Sequence, residues 1–132
     1  MKHILIIDDD VSVREAFLAA LDGRGYAVAA VASGQAGLDL VKDHCPDLIF
    51  LDLKMPAMSG TETLGRLHAL CPQVPVYIVT AFYGEFLQPL KELRGRGIAF
   101  DLARKPLTLA EIRAIADAML SQRNDTGTPQ RH

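Results

Sequence analysis

The sequence predicts an α/β fold, a doubly wound five-stranded parallel sheet with helices on both faces. Three observations carry this. Five short apolar runs, at residues 4–7, 26–31, 48–51, 76–79 and 98–102, begin at steps of 22, 22, 28 and 22 residues. Apart from Asp101 the runs carry no charged residue and are apolar at successive positions, which a strand needs only when both of its faces are covered. Helix-length segments separate the runs, as crossovers between parallel strands require. Right-handed crossovers leave few topologies, and a flavodoxin-like order 2-1-3-4-5 is one common arrangement.

The helices can be placed in turn. The first covers residues 11–21, with Val13, Ala16, Phe17, Ala20 and Leu21 on one face, and Gly23 and Gly25 end it. Ser33 caps a second helix that turns Leu40 and Val41 inward. Ser59 and Glu62 form a capping box opening a third, which buries Leu64 and Leu67. Thr108 and Glu111 repeat the device before Leu109, Ile112, Ala116 and Met119 of the last. Between Gly84 and Gly97 stand Pro89 and Gly95, so the fourth helix is expected to be short or broken. Residues 1–121 then form one domain, and the polar stretch 122–132 reads as a disordered tail.

A chain of 132 residues suits one domain, and 49% hydrophobic with 23% charged residues suits a globular one. A net charge of −2 with interspersed signs offers no basic face for nucleic acid or anionic lipid. The apolar run at residues 4–7 is too short for a signal peptide or membrane span, so a cytoplasmic location is expected. Cys45 and Cys71 lack metal-type spacing and read as two small, reduced, partly buried residues. His3, His44 and His68 are scattered and form no ligand set.

Chemistry concentrates at the carboxyl ends of the strands, where ligands bind in open α/β sheets. The first strand runs into Asp8, Asp9 and Asp10, and the third into Asp52. Two carboxylates about 4 Å apart repel by about 4 kcal/mol at an effective dielectric of 20. Such a cluster must protonate, spread apart or bind a cation, and Mg²⁺, which takes few carboxylates and keeps several waters, fits. Asp10 also suits the cap of the first helix. Thr80 ends the fourth strand, and Lys105-Pro106 follows the fifth. A strand-end Thr or a lone Lys is common. Five such groups at four strand ends are not, and with a metal they suit a phosphoryl group on a carboxylate.

The segments ILIIDDD, PDLIFLDLKMPAMSG, VPVYIVTA and RKPL resemble the receiver domains of bacterial two-component signalling, over about residues 3–120. The resemblance implies the strand order 2-1-3-4-5. It also implies that Asp52 becomes an aspartyl phosphate, with a phosphohistidine on a sensor kinase or phosphotransfer protein as donor. Asp9, Asp52 and the main-chain carbonyl of Lys54 would ligate Mg²⁺, and Asp8 would act mainly through water. Thr80 would bond a phosphoryl oxygen, and Lys105, aimed by a cis bond to Pro106, would pair with its charge. The chain would promote its own phosphorylation and dephosphorylation only, signal to a downstream protein, and dimerise through the face of helix 4, strand 5 and helix 5.

Three departures bear on output. Leu102 stands where the family often has an aromatic switch residue. Lys54 and Phe82 occupy positions at which the family tunes phosphoryl loss. The 25 residues from Thr80 to Lys105 hold the irregular fourth helix. Three other readings fit less well. A haloacid-dehalogenase-type phosphatase needs a general-acid Asp at position 54, which is Lys54. A nucleotide or flavin binder needs a phosphate loop after the first strand, which is acidic here. A degenerate receiver serving as a docking module would not need the intact acceptor residues.

Overall fold

In the computed structural model, which describes residues 1–124, five parallel strands form one sheet in the order β2-β1-β3-β4-β5. The strands are β1 (Lys2–Ile7), β2 (Tyr26–Val31), β3 (Leu48–Leu51), β4 (Val76–Thr80) and β5 (Asp101–Arg104). The helices are α1 (Val11–Leu21), α2 (Gly34–Asp43), α3 (Gly60–Leu70), α4 (Leu87–Gly95) and α5 (Leu109–Asn124). The expected fold class and order are both present. Of the polar stretch 122–132 expected to be a disordered tail, residues 122–124 belong to α5, and the rest lies outside the described residues.

Alternation along the central strands explains why their runs are apolar at successive positions. Ile4, Ile6, Leu48, Phe50 and Val79 face one side, where Phe17 and Leu21 of α1 and Ile112, Ala116 and Leu120 of α5 cover them. Leu5, Ile7, Ile49, Leu51 and Ile78 face the other, beneath Leu38 and Val41 of α2, Leu64 and Leu67 of α3, and Leu90 and Leu93 of α4. At about 25 cal/mol per Å², burying such side chains stabilises by about 1.5–3 kcal/mol each, the main force holding the sheet closed.

Local signals set the helix ends. The Asp10 side chain caps α1 by accepting from Ser12 N–H, and Ser33 and Ser59 cap α2 and α3. Thr108 and Glu111 close a reciprocal box at α5, at 2.8 and 3.0 Å. Gly23, at φ 73°, takes the left-handed turn after α1. The α1–β2 turn is tied to α5 because Asp117 pairs with Arg24 and accepts from Tyr26. Burial and that hydrogen bond push the Tyr26 phenol up to about 12.

The fourth helix is broken as expected. A 3-10 turn, Tyr83–Phe86, leads into a short α4. Pro89 thus falls in the first turn, where a missing N–H costs no helical bond. Four expectations need correction. Strand β5 begins at Asp101, not Ile98. Ile98 and Phe100 are buried but precede the ladder, and Arg94 donates to the Phe100 carbonyl at 3.1 Å. Leu40 is 46% exposed, since the buried stripe of α2 is Gly34, Gly37, Leu38 and Val41. Leu109 is 41% exposed, as α5 turns inward only from Ile112. Finally, Cys45 and Cys71 are not separate thiols but a disulfide with Cα atoms 5.9 Å apart. Their separation in sequence hid that α2 and α3 end side by side.

Candidate functional site

Register builds the site. Ile7 pairs with Leu51, so the next residues, Asp8 and Asp52, emerge together at the sheet edge. Asp52 N–H donates to the Ile7 carbonyl at 3.0 Å and Asp8 N–H to that of Val31 at 3.1 Å. One strand over, Thr80 aligns with Arg104, and Lys105 N–H donates to the Thr80 carbonyl at 3.0 Å. The Lys105–Pro106 peptide is cis. Five strand-end residues thereby converge.

Asp8, Asp9 and Asp52 each offer a carboxylate oxygen within 4.8 Å of the others, the one such group among the described residues. Asp8 and Asp52 are buried, whereas Asp9 is exposed. Lys105 Nζ stands 2.8 Å from Asp8 Oδ2 but 3.6 Å from Asp52 Oδ1, too far for a hydrogen bond. Asp52 Oδ1 is consequently buried with no hydrogen-bond partner. Leaving such an oxygen unpaired costs on the order of 1–3 kcal/mol, so the site is built to receive something there.

The electrostatics agree. Burial, reinforced by the neighbouring Asp8 charge, raises the Asp52 carboxyl above its usual range, and Lys105 only partly offsets this. Burial alone would lower Lys105, but its bond to Asp8 and the charges of Asp52 and Asp8 outweigh it and hold the ammonium above its ordinary value. Asp10, by contrast, is held low by its bonds to Ser12 and serves as a helix cap. Its N–H donates to Asp8 Oδ1 at 2.9 Å, which orients that carboxylate. An Mg²⁺ ion fits this donor set, since hard oxygens are clustered and one is unpartnered.

The β3–α3 loop holds Asp52 in place. Ala57 has φ 68°, and Gly60 N–H donates to the Leu53 carbonyl at 2.7 Å. A Cβ on Gly60 would lie 2.2 Å from the Asp52 carbonyl oxygen, so only glycine lets α3 start this close to Asp52. Thr80 is 1% exposed, and its Oγ1 accepts from Phe82 N–H at 3.1 Å. Lys54 points its side chain away from the carboxylates, 3.5 Å from Glu85 and 4.3 Å above the Phe82 ring. Sequence reasoning missed Arg14, whose Nη1 donates to the Asp8 carbonyl at 2.9 Å. An Arg among polar helix residues gives no signal that it reaches back to a strand end.

A pattern for the response regulator receiver domain matches residues 4–117. The chain is 37% identical over 112 residues to sporulation initiation phosphotransferase F of Bacillus subtilis, covering 85% of this chain and 88% of that protein. It is 35% identical over 128 residues to the transcriptional regulatory protein ZraR of Escherichia coli K12, covering 96% of this chain and 28% of ZraR. The chain thus spans a little over a quarter of the ZraR regulators it matches. A CheY-like receiver domain protein from Methanospirillum hungatei superposes with TM-score 0.81 at 27% identity, covering 95% of this chain and 98% of that one.

Proposed function

The chain belongs to the response regulator receiver domain family, and on that footing we propose that Asp52 accepts a phosphoryl group from a phosphohistidine. The observation that carries this reading is Asp52 Oδ1, a buried and unpartnered carboxylate oxygen beside two further carboxylates and an ammonium. Asp8, Asp9, Asp52 and the main-chain carbonyl of Lys54 would hold Mg²⁺. Bound there, the ion supplies positive charge to the phosphoryl oxygens during in-line transfer.

The chain's own residues do the rest. An Asp52 carboxylate oxygen attacks phosphorus, the donor's P–N bond breaks, and the electron pair returns to the imidazole nitrogen. Lys105, 2.8 Å from Asp8, is placed to pair with a phosphoryl oxygen. Thr80 Oγ1 already accepts from Phe82 N–H, which leaves its own O–H to donate to the phosphoryl group. Positioning and charge supply the catalysis, as expected when little covalent chemistry falls to the protein.

In this reading the chain acts on no external substrate, since Lys54 occupies the position where a phosphatase of this chemistry needs an acid. Its partners are a histidine kinase or phosphotransfer protein and a downstream protein target, and a homodimer would use the face of α4, β5 and α5. No helix among the described residues is long and apolar enough to cross a membrane. In this reading the chain acts in the cytoplasm.

Intact-mass measurement after incubation with a small-molecule phosphodonor and Mg²⁺ tests the proposal. Wild type should gain one base-labile phosphoryl group and Asp52→Asn none. Equal gain by the Asn variant would remove Asp52 from the role. No gain by folded wild type would leave a docking module instead.

A further inference from the structure

At the sheet edge opposite the acceptor, Cys45 follows the last residues of α2 and Cys71 caps the end of α3. Their Cα atoms lie 5.9 Å apart, within the range a bridge spans without backbone movement. The two partners differ in access, since Cys45 is exposed and Cys71 is 4% exposed. Cys45 Sγ also lies 3.8 Å from the Leu70 carbonyl, one of the last-turn acceptors of α3. A free Cys45 thiol would have this acceptor nearby, and the 2.7 Å bond from Cys71 N–H to the Leu67 carbonyl is a backbone bond that does not use the sulfur.

We propose that Cys45 and Cys71 form a reversible thiol–disulfide exchange site, entered at Cys45, whose substrates are dithiols and small disulfides. It stands apart from the phosphoryl chemistry. For opening, a reductant thiolate attacks Cys45 Sγ, the Cys45–Cys71 bond breaks, and its electron pair stays on Cys71 Sγ, which takes a proton. The reductant's second thiolate then attacks its own sulfur in the mixed disulfide and releases Cys45, which is protonated in turn. Two electrons pass to the protein, two thiols form, and the dithiol becomes a disulfide. In closure the Cys45 thiolate attacks a small disulfide and expels one thiolate, and the Cys71 thiolate then attacks Cys45 Sγ in the mixed disulfide and expels the other, so the small disulfide is reduced to two thiols. Disulfides do not persist where the thiol pool is reducing, so such a bond reports on its surroundings.

Closure joins the ends of α2 and α3 and fixes the start of the segment Pro72–Val76. That segment walls a pocket of about 410 Å³ with Leu64, His68, Ile98 and Met119. Oxidation should therefore stiffen this lower edge.

The test starts from fully reduced full-length protein freed of reductant. It is exposed to oxidised glutathione, alkylated and weighed, with circular dichroism to verify folding. Wild type should lose two hydrogens without an adduct, regain them with dithiothreitol, and melt several degrees higher when oxidised. Cys71→Ala should take one glutathionyl group on Cys45 at least tenfold faster than Cys45→Ser takes one on Cys71. Two alkylatable thiols after oxidation, or glutathione on both cysteines of wild type, would overturn the site. Equal adduct rates would overturn entry at Cys45, and equal melting temperatures would overturn the clamp. The wild-type readings stand even if a variant fails to fold.

Discussion

At the scale of the residue, Asp52 is a carboxylate placed where its charge is poorly served. Its carboxyl is raised mainly by burial and then by Asp8. The folded chain thus holds this proton to higher pH than the unfolded chain does. Its contribution to stability is fully present below the ordinary carboxylate pKa and is lost as pH rises through the raised one. Asp52→Asn should remove that slope and stabilise the metal-free protein near neutrality by about 1–2 kcal/mol, because Lys105 keeps its bond to Asp8. Melting curves from pH 4 to 8 check this, and a gap between wild type and variant that fails to widen with pH refutes it. Asp9 is exposed, so Asp9→Ala should cost the metal-free fold less than 0.5 kcal/mol yet abolish stabilisation by millimolar Mg²⁺. An unchanged Mg²⁺ shift would move the ion elsewhere. These acids, Thr80 and Lys105 were legible in the sequence because polar residues directly after buried strands are conspicuous. The side-chain direction of Lys54 and the reach of Arg14 were not, since both depend on contacts between separate elements.

At the scale of the element, the sequence reports periodicity well and pairing poorly. All five strands and the four capped helices could be placed because their signals are local. The start of β5 could not, because burial of Ile98 and Phe100 mimics a strand before the ladder with β4 begins at Asp101. The disulfide was hidden for the same reason, as nothing local shows two helix ends meeting. Close packing at one helix start gives a sharp test. In Gly60→Ala the new Cβ would meet backbone of Asp52 and Leu53 at 2.2 and 2.5 Å, and backbone cannot swing aside as a side chain can. The variant should lose about 2–4 kcal/mol by chemical denaturation and accept phosphoryl groups more slowly. Gly95→Ala is the contrast. Nothing lies within 4 Å of its added Cβ, so α4 should gain about 0.5–1 kcal/mol from better helix propensity. If Gly60→Ala matched wild type, tight apposition of α3 on the acceptor loop would not be needed.

At the scale of the whole molecule, two links lead from the acceptor to the segment at residues 83–97. Thr80 Oγ1 holds Phe82 N–H at 3.1 Å, and Lys54 bridges the acceptor loop to Phe82 and Glu85. Engagement of the Thr80 hydroxyl by a phosphoryl group would bias the first link directly. Beyond it, the 3-10 turn and short α4 are joined without side-chain caps. Tyr83, Leu87, Leu90, Phe100 and Leu102 line a pocket of about 250 Å³ beneath them. Leu102 cannot report burial through a hydroxyl, but it can shift into space by packing alone, and the pocket supplies that space. Weak capping and the pocket beneath should let this segment open at low cost. Phosphorylation, or a phosphoryl mimic with Mg²⁺, should therefore change amide exchange across residues 83–97 by at least severalfold, and Gly95→Ala should diminish the change by stiffening α4. Exchange followed by mass spectrometry decides it: changes confined to the neighbourhood of Asp52 would mean that the acceptor and this segment are not coupled, and that the signal leaves by another face.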